Sequence, residues 1–241
     1  MYLSMIIPAY NEAARIGRTL EQFTAYLSTR PWSWEIIVVD DGSDDDTAGV
    51  VASFARQRDS RVRLARLEQN QGKGAAVRHG MLWEAGGTLR FFSDADGSTP
   101  ITCLERFLPL LENGVDIVIG SRAHPESVIE VRQQCYREFM GRTYNLMARG
   151  LGLTRFRDTQ CGFKGFTRKA AEICFSRQRL TDFAFDCEVL YIAAFHGLEV
   201  REVPIRWINS PKSRVRPVRD SARMAAGLLR IRLNGLLGYY R

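Results

Sequence analysis

The sequence has 241 residues, of which 45% are hydrophobic and 25% charged, as in an ordinary globular protein with a sizeable core. Its 34 lysines and arginines exceed its 27 acidic residues by seven. This basic excess suits phosphates, nucleic acid or an acidic membrane surface, although a soluble basic surface is sufficient to account for it. No apolar run approaches the roughly 20 residues needed to span a bilayer, so we expect no transmembrane helix and, from the first residues, no signal peptide.

The five cysteines are odd in number and form no C-x-x-C pair. This pattern favours a reducing compartment over a disulfide framework or a zinc site.

The first half of the chain alternates strand and helix patterns. Apolar runs predict strands in LSMIIPA, WEIIVVDD, VRLARLEQN, LRFFSDAD and DIVIGS, and the segments between them have helical spacing. Ser43 and Asp46 have the spacing of a capping box at the start of the second helix. Near-continuous apolar strands separated by helices predict an α/β fold, with a mostly parallel central sheet that helices cover on both faces.

The second half is less regular. We predict a helix over residues 132–149. A polar loop followed by a short helix is predicted for RDTQCGFKGFTRKAAEICF, and a strand for LEVREVPIRW. FAFDCEVLYIAAFHG predicts a helix in which Asp186 and Glu188 interrupt an apolar frame, with a structural salt bridge as one explanation of Glu188. We expect one domain over 1–210 and a basic, amphipathic appendage over 211–241.

Polar side chains follow four of the predicted strands. They are Asn11 and Glu12, Asp40 and Asp41, Asp94 and Asp96, and Ser121 and Arg122. Because ligands of such sheets bind outside the carboxyl ends of the strands, we expect these side chains to surround one ligand site.

The D-x-D of Asp94 and Asp96 predicts a divalent cation. Alternate side chains of an extended segment point the same way, so both carboxylates could face one ion. Carboxylates select Mg²⁺ or Mn²⁺, and Mg²⁺ often binds one or two of them together with substrate phosphates. No G-x-G-x-x-G follows the first strand and no phosphate loop is present, which disfavours a dehydrogenase and a P-loop ATPase. Lys73, between two glycines at the start of the third helix, could instead meet a diphosphate.

IIPAYNEAARI, VVDDGSDDDT, NQGKGAAVRHG, DADGSTP and GSRAH, in this order, resemble glycosyltransferase family 2. DTQCGFKGFTR and FAFDCEVLYIA resemble its branch of dolichyl-phosphate β-glucosyltransferases and other polyprenyl-phosphate glycosyltransferases. The resemblance covers nearly the whole chain. It implies a GT-A fold with a Rossmann-like nucleotide-binding half, a nucleotide-sugar donor, a divalent metal and inversion at the anomeric carbon.

The same resemblance implies roles for individual residues. It assigns donor contacts to Pro8, Tyr10, Glu12, Asp40, Lys73 and Arg122, the first four of them around the nucleoside. It implies that Asp96 and Asp94 bind the metal and that Asp94 also contacts the ribose or sugar. It implies that Asp158 and Asp186 orient the acceptor or the sugar. Some relatives have Gln where this chain has Ser98, so a third protein ligand of the metal is left open.

The implied reaction is transfer of a hexose, with glucose from UDP-glucose as the first choice, onto a polyprenyl or dolichyl phosphate. A mannosyltransferase that uses GDP-mannose is an alternative, because metal-binding residues do not report the base or the sugar. A catalytically silent nucleotide-sugar-binding protein is another, against which the intact D-x-D argues. Nucleic acid is not an expected partner, because no recognition module is present.

The C-terminal segment is both basic and apolar. On a helix of about 100° per residue, Arg216, Arg219, Arg223 and Arg230 fall within roughly 60° of one another. Such a stripe beside an apolar face predicts an interfacial helix on anionic lipid, and the alternative is a helix packed on the catalytic domain. We expect a cytoplasmic protein, peripheral on the inner face of the membrane and held there by this segment or by a membrane-anchoring partner, unless the acceptor is not a long lipid. A homo-oligomer is also possible.

Overall fold

The computed structural model describes residues 1–131, 134–208 and 217–241, apart from the side chains of Cys135 and of residues 217–222. The strands are β1 (Leu3–Ala9), β2 (Trp34–Asp40), β3 (Val62–Arg66), β4 (Leu89–Ser93), β5 (Ile117–Ser121), β6 (Val128–Val131), β7 (Phe163–Thr167), β8 (Val200–Pro204) and β9 (Arg206–Ile208). The helices are α1 (Ala13–Ser28), α2 (Thr47–Gln57), α3 (Lys73–His79), α4 (Leu104–Glu112), α5 (Cys135–Gly150), α6 (Arg168–Arg177), α7 (Phe185–Phe195) and α8 (Pro217–Leu236). A π-helical turn at Gly80–Glu84 continues α3, and a 3-10 turn at Ile101–Cys103 precedes α4.

Seven of the described strands form one sheet, in the order β3-β2-β1-β4-β7-β5-β8. All neighbours in it are parallel except β7, which runs antiparallel to both β4 and β5. A second pair, β6 and β9, is parallel. The predicted mostly parallel sheet is confirmed. The loop predicted before α6 is wrong in part, because that segment contains β7.

Alternating side chains of the sheet face two separate cores. On β1, Met5 and Ile7 point to one face and Ile6 to the other, as the period of two requires. The first face is covered by apolar side chains of α1, α2 and α4, among them Ile16, Leu20, Phe23, Val51, Phe107 and Leu111. The opposite face is covered by α3 and α5 to α8, among them Val77, Ala148, Phe175, Val189, Leu228 and Ile231. Helices on both faces are thus confirmed.

Ser43 does not form the predicted capping box. Helix α2 begins at Thr47, and its N-cap residue Asp46 makes no side-chain capping hydrogen bond. The Ser43 hydroxyl instead donates to the carboxylate of Asp40 and accepts from the backbone N–H of Asn11 at 2.9 Å. The capping prediction is therefore wrong, because this hydroxyl connects the ends of β1 and β2.

The last helix packs on the rest of the chain. Leu228, Ile231 and Tyr240 are buried in the same core as α5 and α7. The Tyr240 hydroxyl donates to Glu188 Oε1 at 2.6 Å, and the other oxygen of Glu188 accepts from two backbone N–H groups of residues 179 and 180. Glu188 is thus bound by neutral donors rather than by a salt bridge. The division at residue 210 stays a prediction.

Some of the segments predicted in the C-terminal half lie only partly within the described residues. Arg223 and Arg230 are exposed on α8, whereas Arg216 lies outside the described residues and the Arg219 side chain is not described. The start of the predicted 132–149 helix also lies outside them, and the helix is observed from Cys135. Across the described ranges, no helix combines the length and the apolar character that crossing a membrane requires.

Candidate active site

The carboxyl ends of the parallel strands meet at one edge of the sheet, and hydrogen bonds connect them. The Asp41 N–H, after β2, donates to Ala9 O of β1 at 2.8 Å. The Asp94 N–H, after β4, donates to Gly162 O at 2.9 Å. Gly162 directly precedes β7, which begins at this edge because it runs in the opposite direction. The structure therefore brings residues from distant parts of the sequence to one place.

Asp40 ends β2 and is buried. Its Oδ1 accepts from the backbone N–H of Ser43 at 3.1 Å and from the Ser43 hydroxyl. Arg66 Nε lies 3.3 Å from Oδ2, but this buried oxygen has no hydrogen bond of acceptable geometry. Because an unsatisfied buried acceptor is costly, Oδ2 is a ready acceptor for a ligand N–H or O–H group.

The other residues predicted around the nucleoside lie at the end of β1. Pro8 is buried within the strand, and the exposed Tyr10 donates from its hydroxyl to Asp44 Oδ2 at 3.2 Å. Glu12 forms an ion pair with Arg15, and Arg15 Nη1 lies 4.0 Å from Asp96 Oδ2. The Glu12 carboxylate is thus tied to an arginine that reaches the D-x-D segment.

Asp41 shapes the loop that delivers Lys73. Its two oxygens accept from the backbone N–H groups of Gln71 and Gly72, each at 2.8 Å. Gly72 has a φ of 102°, a left-handed conformation that favours glycine, and α3 begins at the next residue. Burial raises the pKa of Asp41. From the sequence, Asp41 is expected at this edge without an assigned role, and its hydrogen bonds show that it supports the loop before Lys73.

Lys73 pairs with the first acid of the D-x-D. Its Nζ lies 2.6 Å from Asp94 Oδ1. Burial alone would lower the pKa of Lys73, but the negative charges of Asp94 and then Asp186 outweigh it and raise the pKa. Lys73 is therefore a cation at neutral pH, placed against a carboxylate that is 40% exposed.

Asp96 is the more enclosed of the two acids. Its Oδ1 accepts from the Ser98 N–H at 2.9 Å, and its pKa is raised by burial and then by the charge of Asp94. Among the described residues, no three His, Cys, Asp or Glu side chains converge as metal ligands. The extended D-x-D predicted from the sequence is wrong, because β4 ends at Ser93 and Ala95 and Asp96 lie in a turn. As hard oxygen ligands, the two carboxylates still suit Mg²⁺ or Mn²⁺ when diphosphate and water supply the other ligands. The buried Ser98 hydroxyl lies beside Asp96 and makes no hydrogen bond of acceptable geometry within the described structure, so its oxygen is a further candidate ligand.

Arg122 and Asp158 form one unit. The guanidinium donates to both carboxylate oxygens, from Nε to Oδ2 at 2.7 Å and from Nη2 to Oδ1 at 2.9 Å. Burial opposes both charges, but their mutual attraction outweighs it, so the pKa of Arg122 is raised and that of Asp158 is lowered. Both residues are at the predicted edge, and each has the other as its main partner.

Asp186 forms an ion pair with Lys164, which was not predicted from the sequence. Lys164 on β7 places its Nζ 2.5 Å from Asp186 Oδ1 at the start of α7, and both side chains are buried. Lysine is almost never fully buried without a partner. The sequence does contain a signal for this pair. A lysine stands between apolar residues in GFKGF, and an aspartate interrupts the apolar helix FAFDCEVLYIAAFHG, so two opposite charges occur in segments that are otherwise apolar.

Comparison with known proteins agrees with this architecture. Residues 4–175 match the model of the family named Glycosyl transferase family 2. The chain is 35% identical to the dolichyl-phosphate beta-glucosyltransferase of Dictyostelium discoideum, covering 100% of this chain and 77% of that protein. It is also 35% identical to the dolichyl-phosphate beta-glucosyltransferase of Homo sapiens, covering 99% and 77%.

A solved structure shares the fold. Glucosyl-3-phosphoglycerate synthase from Mycobacterium tuberculosis, in complex with Mn²⁺, uridine diphosphate and glucosyl-3-phosphoglycerate, superimposes with a TM-score of 0.70 at 21% identity. The match covers 95% of this chain and 79% of that chain. The expected GT-A fold is thereby confirmed. The chain belongs to glycosyl transferase family 2, in the branch of the dolichyl-phosphate beta-glucosyltransferases, and it is a glycosyltransferase.

Proposed function

We propose that this enzyme transfers glucose from UDP-glucose to a polyprenyl phosphate of the dolichyl type, with inversion at the anomeric carbon. The observation that carries the proposal is the D-x-D with Lys73 at the sheet edge. The chain aligns over 99–100% of its own length, and 77% of theirs, with relatives named dolichyl-phosphate beta-glucosyltransferase. The relatives' names supply the sugar and the acceptor. The edge residues are of the types that a nucleoside diphosphate requires.

The donor would lie along this edge. Asp40 offers its unsatisfied Oδ2 to the base or ribose, beside Pro8 and Tyr10. Asp94 and Asp96 would hold Mg²⁺ or Mn²⁺, and that ion, when bound, neutralises charge on the departing diphosphate. Lys73 provides a second positive charge next to Asp94. Arg122 directs its guanidinium to Asp158, so its contact with the phosphates depends on how that pair is oriented.

The chemistry requires no strong base from the protein. A phosphate monoester has a second pKa of about 6, so a lipid phosphate is largely a dianion near neutral pH. One of its oxygens forms the bond to the anomeric carbon, while the bond from that carbon to the UDP oxygen breaks and UDP leaves with the electron pair. No proton has to be removed. Consistent with this, Asp158 and Asp186 are each buried and neutralised by a cation, which suits positioning better than proton transfer.

Two neighbouring helices support contact with the lipid phase. On α5, Tyr136, Phe139, Leu146 and Met147 are exposed and lie within an arc of about 100°. On α8, which packs against α5, Leu229, Leu233 and Leu236 are exposed within an arc of about 60°. We call these seven residues the apolar platform. Arginines flank it on both helices, and a basic apolar surface is the type that binds anionic lipid headgroups.

Calorimetry tests the donor. UDP-glucose and GDP-mannose are each titrated in Mn²⁺ and in chelator, with the wild type, with Asp96→Asn and with Glu105→Gln as the control. Glu105 is a carboxylate on α4 that pairs with Arg30 away from the edge. We expect UDP-glucose to bind more tightly with Mn²⁺, and this gain to be absent only in Asp96→Asn.

Product analysis tests the acceptor. The wild type is incubated with UDP-glucose and a polyprenyl phosphate, and release of UDP is measured together with the glucosylated lipid. Preference for GDP-mannose would overturn the choice of donor. Release of UDP at the same background rate by the wild type and by Asp96→Asn would overturn the enzymatic proposal.

A further inference from the structure

Lys164 is a buried cation that the proposed reaction does not use directly. It is the second residue of β7 and has no exposed surface. Its ammonium donates to Asp186 Oδ1 at 2.5 Å and to the backbone oxygen of Cys161 at 2.7 Å, and it stands 5.1 Å from the centre of the Phe92 ring. Two of the three N–H donors of the ammonium are thus in hydrogen bonds, and the Phe92 ring lies within range of a cation–π contact.

A buried ion pair is weak evidence for a contribution to stability. Desolvation of both charges opposes their attraction, and apolar residues of the same volume are often equally stabilising or better. The Lys164 ammonium lies 5.1 Å from the centre of the Phe92 ring, and Phe92 belongs to the buried core on that face of the sheet. The position of the pair next to the D-x-D segment therefore suggests a role in arranging the site.

The contact with Cys161 leads to Asp94. Gly162, the next residue, accepts the backbone N–H of Asp94 at 2.9 Å. A Cβ atom added to Gly162 would collide with the Asp94 carboxylate, so that carboxylate lies directly against the backbone of residues 161 and 162. On its open side the same carboxylate meets Lys73. Residues 161 and 162 thus form one wall of the position that Asp94 occupies.

We propose that Lys164 is a positioning residue. By holding the Cys161 carbonyl, it fixes the segment of residues 161 and 162 and hence the carboxylate of Asp94 relative to the metal and diphosphate. This inference rests on the proposed function, since it assumes that Asp94 serves a metal–diphosphate site. Groups that orient metal ligands from outside typically change metal affinity about 10- to 100-fold when they are removed.

The test compares two variants that both lack a negative charge at position 186. Lys164→Met alone would leave the Asp186 carboxylate buried and unpaired, so it is combined with Asp186→Asn. Asp186→Asn alone keeps the Lys164 amine, which can still donate to the backbone oxygen of Cys161. The difference between the two isolates Lys164, and Lys169→Met controls for removal of an exposed lysine. The probe is UDP, titrated by calorimetry in Mn²⁺ and in chelator.

Mn²⁺ should raise the affinity for UDP about tenfold less in the double variant, Lys164→Met with Asp186→Asn, than in Asp186→Asn alone. The affinity for UDP in chelator should be the same in both variants. An equal gain in both variants would overturn the inference. So would a double variant that fails to fold while Asp186→Asn folds, since Lys164 would then serve the fold. A wild type without any Mn²⁺ effect would overturn the proposed function and this inference with it.

Discussion

Asp158 accepts three hydrogen bonds from Arg122, one from the backbone N–H at 3.0 Å and two from the guanidinium. Asp158 precedes β7 and Arg122 follows β5, so the pair joins two segments that are neighbours only because β7 is antiparallel. Neither side chain can change its orientation without the other. The two predicted site residues therefore act as one group.

Removal of the Asp158 charge should destabilise the fold. Asp158→Asn leaves Arg122, whose side chain is 30% exposed, without its counter-ion. Because only Asp158 is buried, breaking the pair should cost about 3 kcal/mol at most. Urea denaturation measures the loss. Glu138→Gln is the matched control, because its pair with Arg142 is exposed on α5 and should contribute only about 0.3–0.5 kcal/mol. Equal losses in both variants would contradict the assignment.

The same pair should give stability a defined dependence on pH. Burial alone would raise the pKa of Asp158, but Arg122 outweighs it and lowers the pKa below the ordinary value of about 3.9. A lowered pKa means that this stabilisation is complete above the unfolded-state pKa and is lost as the pH falls through the folded-state value. The difference in unfolding free energy between wild type and Asp158→Asn should thus be constant at neutral pH and shrink in acid. Urea titrations at several pH values measure it, and a difference that grows in acid would refute the sign.

Gly162→Ala should damage the site more than the fold. The new methyl group meets the end of the Asp94 side chain, which can move aside, so the carboxylate rather than the backbone is displaced. We expect turnover to fall about tenfold, with a small change in unfolding free energy. Gly141→Ala is the control, because nothing lies within 4 Å of its added Cβ on α5, where alanine also favours the helix. Unchanged turnover in Gly162→Ala would contradict the described wall.

The hydroxyl of Tyr240 should stabilise the attachment of the C-terminal segment. Tyr240→Phe removes the donor to the buried Glu188, and a lost hydrogen bond to a charged group costs about 2 kcal/mol. Thermal and urea unfolding measure the effect. Tyr239→Phe, at the half-exposed neighbour, should leave stability unchanged. Similar behaviour of the two variants would argue against this attachment.

The apolar platform should determine binding to vesicles. Phe139→Ser with Leu146→Ser removes two of its most exposed side chains, at 71% and 63% exposure, and should reduce flotation with anionic liposomes. Trp83→Ser is the control, because Trp83 is 63% exposed beyond α3 and outside the platform. Equal flotation of all three proteins would refute lipid binding by this surface. Concentration-dependent association without vesicles would instead assign the platform to a second copy of the chain.

Much of the fold follows from simple patterns in the sequence. Strands such as WEIIVVD are mostly apolar, with a central run of four apolar residues, as a parallel strand that is buried on both faces requires. The polar residues directly after them predicted where the site edge lies. Strand β7 was missed because FKGFT is short and has a lysine and a glycine at its centre, which gives neither an apolar run nor an alternation.

The missed side-chain pairs have a different cause. Lys164 and Asp186 are 22 positions apart, and Arg122 and Asp158 are 36 apart, so only the folded sheet brings them together. Ser43 shows the same limit at short range. Its spacing suits a helix cap, but the Ser43 hydroxyl instead accepts from the Asn11 N–H after β1 and donates to Asp40 at the end of β2.

The reversed direction of β7 has one more consequence. In a wholly parallel sheet, only the segments that follow strands lie at the ligand edge. The segments that precede strands lie at the opposite edge of the sheet. Because β7 is antiparallel and begins at the ligand edge, residues 158–162, which precede it, lie beside the segments that follow β4 and β5. An insertion or deletion just before β7 would therefore reshape the pocket itself, whereas the same change before β2 would fall on the opposite rim.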